Sequence, residues 1–354
     1  MKILILGGTL FLGRHLVEAA LAAGHQVTLF NRGRQNPALF AQVEQLRGDR
    51  GAKDDRNDMA ADGGANVVGA VDAPANLTAL QGRQFDAVID TSGYYPRQMQ
   101  RMADALGPDL PYYLFISTIS VYAAFAPGLH YDETAPLASG LEGYGALKAR
   151  CEESIAAAYP GKVAIVRPGL IVGPHDPTDR FTYWPRRLAQ GGMVLAPGRP
   201  ERPVQWIDAR DLAAWCIHLV QQQVVGSFNA SGPAAPCNMG QLLETCRQQL
   251  CPSAQLAWLD DARLQAQQVQ AWTELPLWIP EQDPEHGGML LADNRAALAA
   301  GLTLRPLAQT VADTLAWDRL EAQPHRVPER AVATLTPQRE SALLALEKTA
   351  LTIT

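Results

Sequence analysis

Apolar and polar positions follow two alternating rhythms along the first half of the chain. The run Lys2–Leu6 reads as a buried strand, 11–23 carries apolar residues at helical spacing, and 26–30 is again strand-like. Further apolar runs of strand length fall at 85–90, 112–116 and 162–167, separated by helical stretches at 98–106 and 147–159. Strands alternating with helices predict right-handed crossovers and a parallel sheet covered on both faces.

The rhythm breaks at 51–76, which is rich in Gly, Ala and Asp and has no aromatic residue. It is read as a loop inserted after a strand. Prolines then crowd 168–203, which predicts a loop-rich segment with one short helix at 184–190. Beyond it 204–207 and 226–229 are strand-like, and 210–221, 240–250, 294–300, 308–320 and 338–347 read as helices. The expected organisation is a doubly wound α/β unit over 1–175 to which 204–232 returns. A smaller α/β substrate unit is drawn from 176–203 and 233–325, and 326–354 is a tail with one helix.

Composition narrows the class. Hydrophobic residues at 47% can fill a core, and 30 basic against 36 acidic residues give a net charge of −6, which disfavours nucleic acid as a partner. No apolar run approaches a membrane span of about 18 residues, and the first one ends at glycines, too short for a secretory leader. The five cysteines form no CxxC pair, so neither a disulfide framework nor a metal site is expected, and the cytoplasm is the expected compartment.

The first strand runs into Gly7-Gly8-Thr9-Leu10-Phe11-Leu12-Gly13 and then a helix. Strand, glycine turn and helix in that order predict a dinucleotide site. Gly7 permits the turn, the helix N-terminus faces a pyrophosphate, and Gly13 lets helix and sheet approach. After the second strand NAD sites usually carry an acid for the ribose 2′-hydroxyl. Here Asn31 stands in its place, with Arg32 and Arg34 following, so NADP is expected and NAD is the alternative. Asp49, after the third strand, is a candidate adenine contact.

Tyr144 and Lys148 stand one helical turn apart on one face. Bringing a phenol down by about three pKa units takes roughly 4 kcal/mol of differential interaction, which an ammonium and a cationic nicotinamide can supply. Upstream, 113–122 is a strand ending in the hydroxyls of Ser117, Thr118 and Ser120. Ligands of open α/β sheets sit at such strand ends, so Thr118 is placed to orient a substrate oxygen toward Tyr144.

With GGTLFLG, STISVY, YGALK, VRPGLIVGP and VQWIDARDLA in this order, the chain resembles an extended short-chain dehydrogenase/reductase of the NAD-dependent epimerase/dehydratase kind over about 1–230. The resemblance implies a Rossmann unit with a smaller substrate unit. It implies Thr118, Tyr144 and Lys148 as the catalytic set, Pro168 beside the nicotinamide, and Thr91, Ser92 and Gly93 lining the cofactor. Dimers pairing helices of the Rossmann unit are common in the family. Three departures from it stand out. Leu10 replaces the middle glycine, as in atypical members that include chloroplast RNA-binding relatives. Ile119 and Ser120 stand where sugar-nucleotide 4,6-dehydratases carry Asp-Glu. The position just before the strand at 205–207, often a phosphate-binding arginine, is read as Val204, with Arg202 nearest, which argues against a nucleotide-sugar substrate.

Ser120, Tyr94, and the loop residues His175, Arg180 and Trp184 are expected around a small-molecule substrate, and Trp272, Trp278 and Ile279 are candidate apolar walls. The expected activity is NADP(H)-linked oxidoreduction or epimerisation of a hydroxyl/carbonyl compound. The competing reading is a nucleotide-sensing or RNA-associated member without turnover.

Overall fold

The computed structural model describes residues 1–51, 75–140, 142–320 and 332–351, with the side chains of 346–351 excepted. In chain order, β1 (Lys2–Leu6), α1 (Leu12–Ala22), β2 (Gln26–Asn31), β3 (Glu44–Arg47), β4 (Ala87–Asp90), α2 (Pro96–Leu106), β5 (Tyr113–Ile116), α3 (Tyr144–Ala158) and β6 (Val163–Pro168) form the first half. They are followed by β7 (Ile171–Val172), α4 (Tyr183–Ala189), β8 (Met193–Pro197), β9 (Pro203–Asp208), α5 (Ala209–Gln222), β10 (Gly226–Ala230) and β11 (Gly232–Asn238). The last elements are α6 (Met239–Leu250), β12 (Gln255–Leu259), α7 (Asp261–Ala266), α8 (Arg295–Ala299), α9 (Leu307–Leu320) and α10 (Pro337–Leu351).

Seven strands form one sheet in the order β10-β6-β5-β4-β1-β2-β3, every neighbouring pair parallel. The order reverses beside β1, which creates the crevice where dinucleotides bind in doubly wound sheets. Strand period two sorts the side chains: Ile3 and Ile5 pack with Leu16, Val17, Leu212 and Leu219 of α1 and α5 on one face. Leu4 and Leu6 pack with Met99, Met102, Cys151 and Ile155 of α2 and α3 on the other. Burial on both faces explains the continuous apolar runs read from the sequence.

The segment 204–232 divides between two sheets. β10 pairs with β6 at the edge of the large sheet, whereas β9 lies between β11 and β7 in a separate three-stranded sheet. A two-stranded parallel pair, β8 with β12, completes the second half. Its core gathers Phe181, Trp184, Trp206, Leu243 and Trp278, and Leu343 of α10 joins it. Most of the 51–76 insertion, 52–74, lies outside the described residues, as does 326–331 of the tail. At the base of the insertion Asp49 and Asn76 exchange backbone hydrogen bonds of 3.1 and 2.7 Å.

Candidate active site

The glycine turn is built for close approach. Gly7 and Gly8 have φ of +106° and +92°, a region that favours glycine. A Cβ on Gly7 would meet the Thr91 hydroxyl at 2.6 Å, and one on Gly13 the Gly8 nitrogen at 2.8 Å. The turn therefore sits tightly against the end of β4 while α1 starts over it, which fits a dinucleotide pyrophosphate at the helix N-terminus. Phe11 precedes α1 with φ of 40°, Leu10 is half-buried, and the Leu12 side chain belongs to the core. Thr9 is buried, and its hydroxyl donates to Gln35 O at 2.8 Å, fixing the loop after β2.

At the adenosine end, Asn31 Nδ2 donates to Gly7 O at 3.1 Å, and Asn31 Oδ1 accepts from Gly33 N and from Arg47. Arg32 and Arg34 are exposed beside this amide. Arg47, from the end of β3, is a third guanidinium there that sequence reading missed. Asp49 turns its carboxylate to Gly51 N at 3.0 Å. The opposite wall is Thr91-Ser92-Gly93: Thr91 Oγ1 donates to Leu6 O at 2.8 Å, and the Ser92 hydroxyl accepts from Arg50 at 2.7 Å. Arg50 is 6% exposed and pairs with fully buried Asp90 at 2.7 Å, which also accepts from the Tyr113 phenol at 2.7 Å. Pro168 is buried at the end of β6.

The expected proton-transfer residues converge at the end of β5 and the start of α3. Thr118 Oγ1 accepts from Ser120 N at 3.1 Å and contacts Ser120 Oγ at 3.2 Å. A Cβ on Gly145 would lie 2.0 Å from Ser120 O. Only glycine lets the first turn of α3, which begins at Tyr144, press against this segment. Tyr144 keeps 36% of its surface open. Burial of the phenol nevertheless holds its pKa above the usual value, with Tyr94 adding to the rise, while hydrogen bonding with Thr118 and the charge of Arg180 oppose it. Lys148 is 3% exposed and donates to Gly93 O at 2.9 Å and Ile116 O at 2.7 Å, tying the ends of β4 and β5 together. Its ammonium lies 4.0 Å from the Phe115 ring centre and 5.6 Å from that of Tyr94. Burial brings its pKa down to about 8, against the opposing pull of Cys151, Asp90 and Glu152.

Behind this group Glu152 accepts from Ser117 and pairs with Arg167 at 2.7 Å. Arg167 donates to the Tyr122 phenol at 3.0 Å, which donates to Asn229 at 2.6 Å. Ser117 thus belongs to a buried brace that holds β5, β6 and β10 in register.

Two of the expected substrate residues are placed elsewhere. His175 has φ of 71°, and its ring turns to α1, with Arg14 Nη1 at 3.2 Å and the His15 and Trp317 rings at 5.7 and 5.4 Å. Trp184 is fully buried and its indole donates to Pro276 O at 2.9 Å, so it is a core residue rather than a substrate wall. Trp278 and Ile279 are core as well, whereas Trp272 is half-buried beneath Arg180. A further correction concerns the residue before the strand at 205–207. β9 begins at Pro203, so that residue is Arg202, 3% exposed, with Nε and Nη1 lacking hydrogen-bond partners among the described residues. Arg202 lines a cavity of about 500 Å³ with His130, Arg199 and Glu281, and burial lowers its pKa to about 10. A charged residue inside a loop gives no periodicity by which to recognise its burial.

The sequence profile of the NAD dependent epimerase/dehydratase family matches residues 3–230. The chain is 28% identical over 249 residues to the chloroplast stem-loop binding protein of 41 kDa b of Arabidopsis thaliana, an alignment spanning 65% of this chain and 58% of that protein. It is 33% identical over 245 residues to the 2-alkyl-3-oxoalkanoate reductase of Stenotrophomonas maltophilia (strain K279a), spanning 67% of this chain and 68% of that enzyme. The human epimerase family protein SDR39U1, solved with NADPH, superposes with a TM-score of 0.58 at 18% identity over 89% of this chain and 99% of that one. No helix among the described residues is long and apolar enough to cross a membrane. The profile match over more than half of its length, together with the seven-stranded parallel sheet, makes the chain a member of the NAD dependent epimerase/dehydratase family.

Proposed function

We propose that the protein is an NADP(H)-dependent oxidoreductase that interconverts a hydroxyl and a carbonyl group. The observation that carries this reading is the convergence of Thr118, Tyr144 and Lys148 beside Gly93, at the carboxyl ends of β4 and β5. A nicotinamide dinucleotide held by the glycine turn and by Thr91, Ser92, Gly93 and Pro168 would supply or accept the hydride. Thr118 orients the substrate oxygen, and Tyr144 gives that oxygen its proton or takes it away. Burial keeps the Tyr144 pKa above its usual value, so the pull toward the phenolate would come from Thr118, Arg180 and a bound cationic nicotinamide, while Lys148 holds the ends of β4 and β5 around the site. Arg32, Arg34 and Arg47, with no acid at the end of β2, support NADP over NAD.

The test is NADPH oxidation with a panel of aldehydes and ketones. Tyr144→Phe is expected to lower turnover by about 10²–10⁴-fold while leaving NADPH affinity unchanged. Unchanged turnover in Tyr144→Phe refutes the assignment. Arg202 in its cavity favours a second reading, an epimerase whose substrate carries an anionic group. That enzyme would retain its cofactor through gel filtration, whereas a reductase releases it.

A further inference from the structure

The end of β4 carries a fixed cation that no cofactor motif calls for. Asp90 is fully buried and accepts from Arg50 Nη1 at 2.7 Å, Arg50 Nη2 at 3.2 Å, the Ser92 backbone at 2.9 Å and the Tyr113 phenol at 2.7 Å. The main chain of Arg50 is held as well. Its carbonyl accepts from Arg101 at 2.9 Å, and the next one, Gly51 O, accepts from Gln98 at 3.0 Å. The guanidinium is therefore fixed in direction, and its charge is already met by Asp90. Its Nη2 nevertheless donates also to Ser92 Oγ at 2.7 Å. A hydroxyl has one proton and two lone pairs. Arg50 fills one lone pair of Ser92, which leaves the proton to place. Its one acceptor among the described residues is Leu6 O at 3.5 Å, longer than an ordinary O–H···O bond. That carbonyl already accepts from Thr91 Oγ1 at 2.8 Å and Thr91 N at 3.3 Å. Ser92 Oγ lies 4.0 Å from where a Cβ on Gly7 would stand, so the hydroxyl borders the glycine turn.

We propose that the Ser92 hydroxyl donates to a pyrophosphate oxygen of the dinucleotide, and that Arg50 is the positioning residue that makes Ser92 a donor. This rests on the reading that the glycine turn holds NADP(H), and it gives a binding role to a side chain outside that turn. A donor oriented before the ligand arrives needs no reorganisation when it binds. Accepting from a guanidinium also polarises the hydroxyl, which strengthens the bond it donates. Arg50 is 6% exposed and paired with Asp90, so it adds no net charge to the cleft and acts on the cofactor through Ser92 alone.

The test is fluorescence titration of the wild type, Ser92→Ala, Arg50→Lys and the double variant with NADPH and with NADH, each protein checked by thermal melting. Ser92→Ala is expected to weaken both cofactors about 10-fold, the size of a hydrogen bond to a charged group, and to melt with the wild type. The loss is shared because the pyrophosphate is common to both. Arg50→Lys keeps a cation for Asp90 but has one nitrogen where Arg50 has two, and is expected to weaken both cofactors about 3–10-fold. The double variant is expected to bind no more weakly than Ser92→Ala, because Arg50 works through the hydroxyl. Wild-type affinity in Ser92→Ala overturns the proposal whatever Arg50→Lys does. Losses that multiply in the double variant overturn the role of Arg50, and a loss confined to NADPH overturns the pyrophosphate contact. Cofactor binding that ignores Ser92 sinks this proposal alone, whereas a wild type that binds neither cofactor sinks the oxidoreductase reading with it.

Discussion

Both sides of residue 175 pair buried charges, but among the described residues the buried polar side-chain atoms left unmet all lie after it. Before it, Arg50, Asp90, Tyr113, Ser117, Glu152 and Arg167 are buried in closed networks in which each charge meets an opposite charge. After it, Asp176, Thr182, Tyr183, Arg202 and Thr314 carry buried polar atoms without hydrogen-bond partners among the described residues. An unmet buried polar group costs about 1–3 kcal/mol, so such groups are not retained for stability. The contrast assigns different work to the two regions. The first is self-sufficient and holds a shaped cleft for a dinucleotide that is the same in every turnover. The second also closes charges in pairs, Arg186 with Asp179 and Asp318 and Arg187 with Glu340, but leaves these other polar atoms unmet.

Breaking the closed networks gives the largest stability effect. Arg50→Met leaves Asp90 charged, buried and unpaired, and is expected to cost about 3–5 kcal/mol in a chemical denaturation experiment. A loss below about 1 kcal/mol would erase the distinction between the regions. The same substitution in the second region runs the other way. Burial holds the Arg202 pKa below the usual value, so the folded state pays for its charge. Arg202→Met is expected to be neutral or stabilising, by up to about 2 kcal/mol. A loss comparable to that of Arg50→Met contradicts the comparison.

Asp176 sharpens it with a pH dependence. Burial raises its pKa from 3.8 to about 6, so the folded protein binds this proton more tightly than the unfolded chain. The stabilisation is complete below about pH 4 and is lost as pH rises through about 6. Asp176→Asn is therefore expected to stabilise the protein at pH 8, by about 1–2 kcal/mol, and to have little effect at pH 4. Thermal melts at both pH values read the difference, and a pH-independent shift rejects it. The smallest effect belongs to the rim of the first region. Arg32→Ala is expected to weaken NADPH binding about 10-fold, roughly 1.4 kcal/mol, and to leave NADH binding unchanged. Equal losses for both cofactors reject the 2′-phosphate role.

The same division governs what could be read from the sequence. β1, β2, β5 and β6 are legible because strands buried on both faces give continuous apolar runs, and their helices because the opposite face is polar. Tyr144, Lys148 and Thr118 are legible because helical spacing and a strand end bring them together. β8 and β12 were missed because each is only five residues long, β8 lies within the proline-rich stretch 168–203, and β12 is only partly buried and carries no alternation. β11, GPAAPCN, carries two prolines and reads as a loop. His175 and Trp184 were misplaced because nearness to Pro174 in sequence does not fix direction. A left-handed residue at His175 sends its ring to α1, and α4 turns Trp184 into the core. Arg50 and Arg202 escaped because a charged residue is ordinarily exposed, and only the fold shows which ones are not.

The measurement that tests the central claim most directly is deuterium transfer from NADPH labelled at the nicotinamide C4, on each face in turn, read by mass spectrometry of the products from the carbonyl panel. The account predicts deuterium on the new carbinol carbon with one labelled face, from the wild type, and a loss of about 10²–10⁴-fold in its rate for Tyr144→Phe. No deuterium in any product, or an equal rate in the variant, would contradict it.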